Sequence, residues 1–540
     1  MKKMLKAAAV LAAILIAFTL GACDNGSGGG GSGSSSGSSN GSSNGSSNGS
    51  SNGSSNGSSN GSSNGSTTTS KNPFGFTKED NFKYFCLDKD GKVLQEVEDA
   101  YEGEDVEGAV FLVWWTLYDG TGEVELLQYY GDYEDVTIPD GVTEIGDDAF
   151  QGCSSLVSVT IPSSVTKIGN HAFYRCSSLE SVTIPGSVTE IGDYAFSGCS
   201  SLVSVTIPGS VTEIGSSAFR GCSSLVSVTI TDGVTEIGWG AFYGCLSLES
   251  VTISDSVTKI GDGAFYGCSS LVSVTIPGSV TEIGDSAFYL CDRLATVTIG
   301  NGVESIGNSA FSGCSSLVSV TIPDGVTEIG REAFRGCSSL ASVSIPGSVT
   351  EIGSSAFWDC SSLASVNIPD GVTEIGNYAF YGCLSLESVT ISDSVTKIGD
   401  GAFYGCTSLK SVTIPGSVME IGDGAFYGCT SLKSVTIPGS VMEIGDGAFN
   451  ACSSLESVTI PDGVTEIGNN AFYGCTSLKS VTIPASVESI GWFAFFDCTN
   501  LKEVKYGGTK EQWEKIYIDS NAFEYDVKIT DINGKEITYP

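Results

Sequence analysis

The sequence predicts a repeat solenoid, α/β or β-dominated, built of short parallel strands with one helical or 3₁₀ turn in each 23-residue repeat. Three observations predict it. Ala-Phe followed by Cys occurs sixteen times, from Ala149-Phe150 to Ala494-Phe495, with the cysteine stepping from 153, 176 and 199 to 475 and 498 without a skipped residue. The apolar positions Leu156, Val159, Ile161, Val165, Ile168, Ala172, Phe173 and Cys176 are held from copy to copy. Within each copy, Val159-Thr160-Ile161 alternates at period two, the signature of a half-buried strand. A unit this short buries its apolar side chains only against its neighbours, so function is expected on the surface of a rod or arc.

The N-terminus precedes the array with a different chemistry. Met1 to Lys6 carries three lysines and is followed by an uncharged apolar run to Leu20, the layout of a secretory signal and too short for a comfortable membrane span. Leu20-Gly21-Ala22-Cys23 resembles a bacterial lipobox, which implies cleavage of a 1–22 signal peptide and acylation of Cys23. Residues 23–70 are then expected to form a lipidated, disordered tether: the 47 residues from Asp24 to Ser70 are nearly all Gly, Ser, Asn and Thr. Such a chain cannot bury enough apolar surface to fold, and it spans about 35–40 Å on average.

Residues 71–135 do not repeat and are rich in aromatics. Phe82-Lys83-Tyr84-Phe85, Asp88-Lys89-Asp90-Gly91 and Lys92-Val93-Leu94 read as strand, turn and strand, and residues 109–118 as a buried strand. Asp88 and Asp90 begin like a calcium loop, but the later ligands are missing, so the turn is preferred. A first solenoid turn would expose a sheet edge, so the segment is assigned as an N-terminal β-rich cap.

Residues 136–505 hold the sixteen repeats. Pro162-Ser163-Ser164 turns the corner after the first strand, Val165 to Ile168 forms a second extended piece, and Gly169 allows the next bend. Asn170 to Arg175 is expected to be the helical turn that drives Phe173 inward, worth about 2–3 kcal/mol of burial. The pattern L-x-x-V-x-I-P-x-x-V-x-x-I-G-x-x-A-F-x-x-C resembles the BspA-like class of bacterial leucine-rich repeats over residues 136–505, with a departure at Cys291-Asp292-Arg293-Leu294 and Gly300-Asn301-Gly302. The resemblance implies a leucine-rich-repeat solenoid on secreted or surface proteins, several of them adhesive to host proteins or other cells, with no catalytic residues. Residues 506–540 look like the closing segment of that family, a C-terminal cap with Ala522-Phe523 as a displaced last copy.

Composition excludes several function classes. Lys plus Arg number 25 against 62 Asp plus Glu, a net charge of −37, which disfavours nucleic acid and anionic membranes as partners. His171, the one histidine, stands where other copies have Gly, Ser, Asp, Tyr or Asn and is read as variation at an exposed site. No enzyme activity, cofactor or metal is assigned. Residues 241–268 recur unchanged as 379–406, which suits an extended face or a spacer better than one unique site.

Each exposed repeat position becomes a column. One cysteine per turn, with parallel Cβ vectors, favours buried free thiols over disulfides. The column Glu144, Lys167, Glu190 and onward to Glu466 has eleven Glu and three Lys among sixteen members, and solvated repulsion relieved by lysine is preferred to calcium binding. The residue after Ala-Phe gives the candidate binding column: Tyr174, Tyr243, Tyr266, Tyr289, Trp358, Tyr381, Tyr404, Tyr427 and Tyr473, joined by Phe496, with Arg220 and Arg335 between. Tyr, Trp and Arg dominate protein–protein hot spots, yet such rings also lean on the neighbouring turn, and both readings stand. The Ser158/Thr160 face is read as an inert polar sheet, with glycan or ice binding as the alternative. The sequence thus reads as a monomeric surface lipoprotein that binds protein or glycan on host or bacterial surfaces. A passive spacer is the alternative.

Overall fold

The computed structural model describes residues 73–537, apart from 100–101, 119–120 and 525–526. The signal peptide, Cys23 and the tether expected over 23–70 lie outside the described residues. What is described is a β-solenoid of about 18 turns with almost no helix.

Two runs of parallel strands build it. One sheet has 21 strands: Val93–Val97, Lys83–Leu87, Phe111–Tyr118 and Thr121–Tyr129 pair antiparallel, and the last of these starts a parallel series from Glu144–Ile145 to Tyr517–Ile518. Asp88 Oδ1 accepts from the N–H groups of Asp90 and Lys92, which closes the first hairpin as the expected turn. The other face holds a ten-stranded sheet from Asp135–Thr137 to Ser342–Ser344 and a nine-stranded one from Ser365–Ile368 to Glu536–Ile537. Ala364 N–H donates to the Ala341 carbonyl at 3.2 Å, which carries backbone pairing across the join. Within the repeat array the strands pair in register: Ser204 to Ile207 pair with Ser227 to Ile230, like on like.

Between the two strands of each turn the chain follows bends rather than the expected helical turn. The reason lies in the amides. Ala172, Tyr174 and Cys176 donate three residues back within the turn, whereas His171, Phe173 and Arg175 donate to Asp193, Ala195 and Ser197 of the next turn. A helix needs every amide for itself; here alternate amides are used across turns. The alternation places His171 at φ 53° and Arg175 at φ 58° in the left-handed region, and glycine takes the second position in most other turns, as at Gly198 (φ 77°). At the departure from the repeat, Gly300 lies so close to Gly278 that a Cβ would come within 2.5 Å of its amide nitrogen.

A single column of rings runs through the core. Phe150, Phe173 and the phenylalanine of every later Ala-Phe pair stack with centroids 4.9–5.5 Å apart, ending on Phe523, 5.2 Å from Phe495. Tyr129 extends the spine backward, 4.9 Å from Phe150, and Phe111 lies 5.7 Å beyond it. At the far end Trp513, on the short helix Lys510–Trp513, packs 5.1 Å from Tyr506 and 6.3 Å from Phe523.

Candidate binding surface

Beside the phenylalanine spine runs the cysteine column. From Cys176 to Cys498 each Sγ donates to the carbonyl of the phenylalanine in the preceding turn, at 3.0–3.3 Å, and all are free thiols. Burial pushes Cys245, Cys337 and Cys452 up to about 12, so these thiols are neutral and unreactive in the fold. Cys86 is a buried free thiol in the N-terminal segment. None of these is a surface site.

The residue after each phenylalanine points outward, and the structure sorts the predicted column into four groups. Tyr174 stands apart, with Arg175 over its ring at 5.0 Å and His171 edge-on at 5.3 Å. Tyr243, Tyr266 and Tyr289 stack at 4.5 and 4.8 Å. Trp358, Tyr381, Tyr404 and Tyr427 stack at 4.2, 4.7 and 4.4 Å. Tyr473 and Phe496 form a looser pair at 6.3 Å. Arginine heads each long stack: Arg220 lies 4.6 Å over Tyr243, and Arg335 5.0 Å over Trp358. Buried Ser312 follows Tyr289, and Ser197 precedes Arg220. All nine rings are half-buried, so each leans on its neighbours and still presents an edge and its polar tip. Burial, then the adjacent tyrosines, raises the Tyr266 and Tyr404 phenols, which keeps them as neutral donors.

Other columns are settled by their contacts. Lys167 bridges Glu144 (3.0 Å) and Glu190 (3.7 Å), and Lys397 lies between Glu374 (3.9 Å) and Glu420 (3.4 Å). Among the described residues no group of three or more His, Cys, Asp or Glu is placed to hold a metal ion, and no helix is long and apolar enough to cross a membrane. His171 is half-buried rather than exposed, stacked 5.0 Å from Tyr194, because its left-handed backbone lays the ring along the next turn.

One column escapes sequence reasoning. Every Asp or Asn directly after the repeat glycine, from Asp147 to Asn469, accepts through Oδ1 from the amide of the equivalent residue one turn on, at 2.6–3.0 Å. The signal was present as an Asp or Asn after Ile-Gly in eleven of the sixteen repeats, but only the geometry shows that it forms a ladder. Ser216, Trp239, Arg331 and Ser354 interrupt it.

The family model for the BspA type leucine rich repeat region matches six overlapping stretches: 126–246, 201–318, 235–364, 282–410, 328–456 and 419–538. A leucine-rich repeat protein from Bacteroides ovatus is similar at 33% identity and a TM-score of 0.53, over 78% of this chain and 98% of its own. A leucine rich cell surface protein from Faecalibacterium prausnitzii is 29% identical over 76% of this chain and 96% of its own, TM-score 0.38. The pneumococcal vaccine antigen PcpA is 19% identical over 77% and 96%, TM-score 0.38. No curated protein matches the chain.

Proposed function

The chain belongs to the BspA-type leucine-rich-repeat family, and from that premise we propose that it is a lipid-anchored surface protein whose array binds proteins on host cells or other bacteria. The reading assigns acylation to Cys23, a tether to residues 23–70, capping to 71–135 and 506–540, and binding to the aromatic stacks of 136–505. It assigns no catalytic residue. The single observation that carries it is the surface column itself: three and four aromatic rings in contact, each series headed by an arginine, on a molecule whose core already has its own aromatic spine. Rings held this way present rigid, amphipathic area at little entropic cost.

Binding by such columns is distributed, so affinity comes from several modest contacts on one partner or surface. The test is to offer the intact chain to extracellular-matrix proteins, glycans and whole cells. Deleting residues 407–452, two repeats in register, is expected to lower binding in part. An all-or-none loss would argue for one localised site, and no binding by the intact chain would favour a passive spacer. Anchoring is tested separately: Cys23→Ser is expected to abolish fatty-acid labelling, and unchanged labelling would contradict it.

A further inference from the structure

The Asp/Asn ladder is broken at two places, five turns apart. Neither Ser216 nor Trp239 accepts the next amide, and neither Arg331 nor Ser354 does. Among the described residues, the N–H groups of Trp239 and Asp262, and of Ser354 and Asn377, therefore have no acceptor, whereas all eleven Asp and Asn of the column serve one. Each break adjoins an arginine lying over an aromatic ring, Arg220 over Tyr243 and Arg335 over Trp358.

The first break has two further features. Ser217 Oγ is buried and has no hydrogen-bond partner. It belongs to the same knot of chain, since Ser217 N–H donates to the Trp239 carbonyl at 2.7 Å and the Ser217 carbonyl accepts from Arg220 N–H at 3.0 Å. Gly240 adjoins it: a Cβ there would lie 3.2 Å from that Oγ. Arg220 has no carboxylate within ion-pair distance among the described residues. The second break differs here, because Glu332 already holds Arg331 at 3.1 Å and Arg335 at 3.2 Å.

We propose that the first break, formed by Ser216, Ser217, Arg220, Trp239 and Asp262, is a docking point for a carboxylate side chain of a partner protein. The partner's oxygen takes the role that an Asp Oδ1 plays elsewhere in the ladder, accepting from a free amide while Arg220 supplies the charge. A charge-assisted bond of this kind is about twice as strong as a neutral one. On a chain of net charge −37, acids are repelled from most of the surface, so an arginine without an ion pair, in the same turn as the broken rung at Ser216, selects where one can land. A protein acid suits the place better than an acidic sugar: the neighbouring rings Tyr243, Tyr266 and Tyr289 use their faces on one another, leaving edges and hydroxyls. The second break is a weaker version, its arginines being occupied.

The inference rests on the surface being a binding surface, but its test shares no residue with the tyrosine tests of that reading. The full chain is titrated with tetraglutamate and tetragalacturonate by calorimetry, beside three variants. Ser216→Asp with Trp239→Asn repairs both rungs from within. It is expected to bind tetraglutamate about tenfold more weakly or worse, with a melting temperature at or above that of the native chain. Arg220→Gln is expected to lose as much, and Ser354→Asp to stay within about twofold of native. Equal affinity of the native and repaired chains would overturn the proposal. So would no binding of tetraglutamate, or binding of tetragalacturonate in its place.

Discussion

Phe173 and Tyr174 are neighbours in the chain and belong to two columns of opposite character. The inward column is unbroken from Tyr129 to Phe523, its rings never more than 5.5 Å apart. The outward column is broken by Ser197, Arg220, Ser312, Arg335 and Asn450 into separate groups. The difference follows from what lies on the far side of each ring. An inner ring that is lost leaves a cavity, because the two sheets hold their separation; an outer one is replaced by water. The spine is therefore constrained turn by turn, and the surface column is where turns are free to differ. The recognition proposed above is assigned to the column that tolerates gaps.

Four perturbations sharpen this contrast, taken from the largest expected effect to the smallest. The first is alkaline pH. Burial raises Cys245, Cys337 and Cys452 from an ordinary 9.0 to about 12, and the same cause raises the other thiols of the column from Cys199 to Cys475. A folded pKa above the unfolded one means stability that is complete below about 9 and lost as pH rises toward about 12. Each thiol in a cooperative unit contributes about 1.4 kcal/mol per pH unit, so circular dichroism is expected to show a steep alkaline transition. Replacing three successive cysteines by alanine should shallow it, and an unchanged slope would count against the thiols as its source.

Phe311→Ala comes second, at about 3–5 kcal/mol, and hydrogen exchange should show the turns around residue 311 loosening before the ends of the array. Third, Tyr404→Ser with Tyr427→Ser removes two outer rings and should cost no more than about 1–2 kcal/mol in a denaturant melt, since the lost area was only half-buried. The smallest effect is expected from Lys167→Gln. Its ion pairs with Glu144 and Glu190 are solvent-exposed, and a urea midpoint should report at most about 0.2–1 kcal/mol.

Much of this architecture was legible beforehand because a strict period makes each residue's environment a repeated measurement. The strands Ser158–Thr160 and Lys167–Ile168, the buried positions Phe173 and Cys176, and the strands Lys83–Leu87, Val93–Val97 and Phe111–Tyr118 follow from alternation and apolar spacing, whereas the strand Thr121–Tyr129 was not read from the sequence. The bends around His171 did not, because a pattern of buried positions three and four apart fits a helical turn equally well, and only hydrogen bonds to the next turn distinguish the two. The aromatic column was visible residue by residue, whereas its division into stacks headed by Arg220 and Arg335 depends on side-chain geometry. The Asp/Asn ladder was not legible because nothing in a single Asp or Asn after Ile-Gly shows that its acceptor is the amide 23 residues on.

The double variant Tyr404→Ser, Tyr427→Ser tests the central claim most directly when its melting temperature and its adhesion are measured side by side. The partner is whichever matrix protein or cell surface retains the native chain. A solenoid that recognises partners through its outer column predicts a clear partial loss of adhesion with a melting temperature within a few degrees of native. Undiminished adhesion, or a fall in stability as large as that of Phe311→Ala, would contradict it.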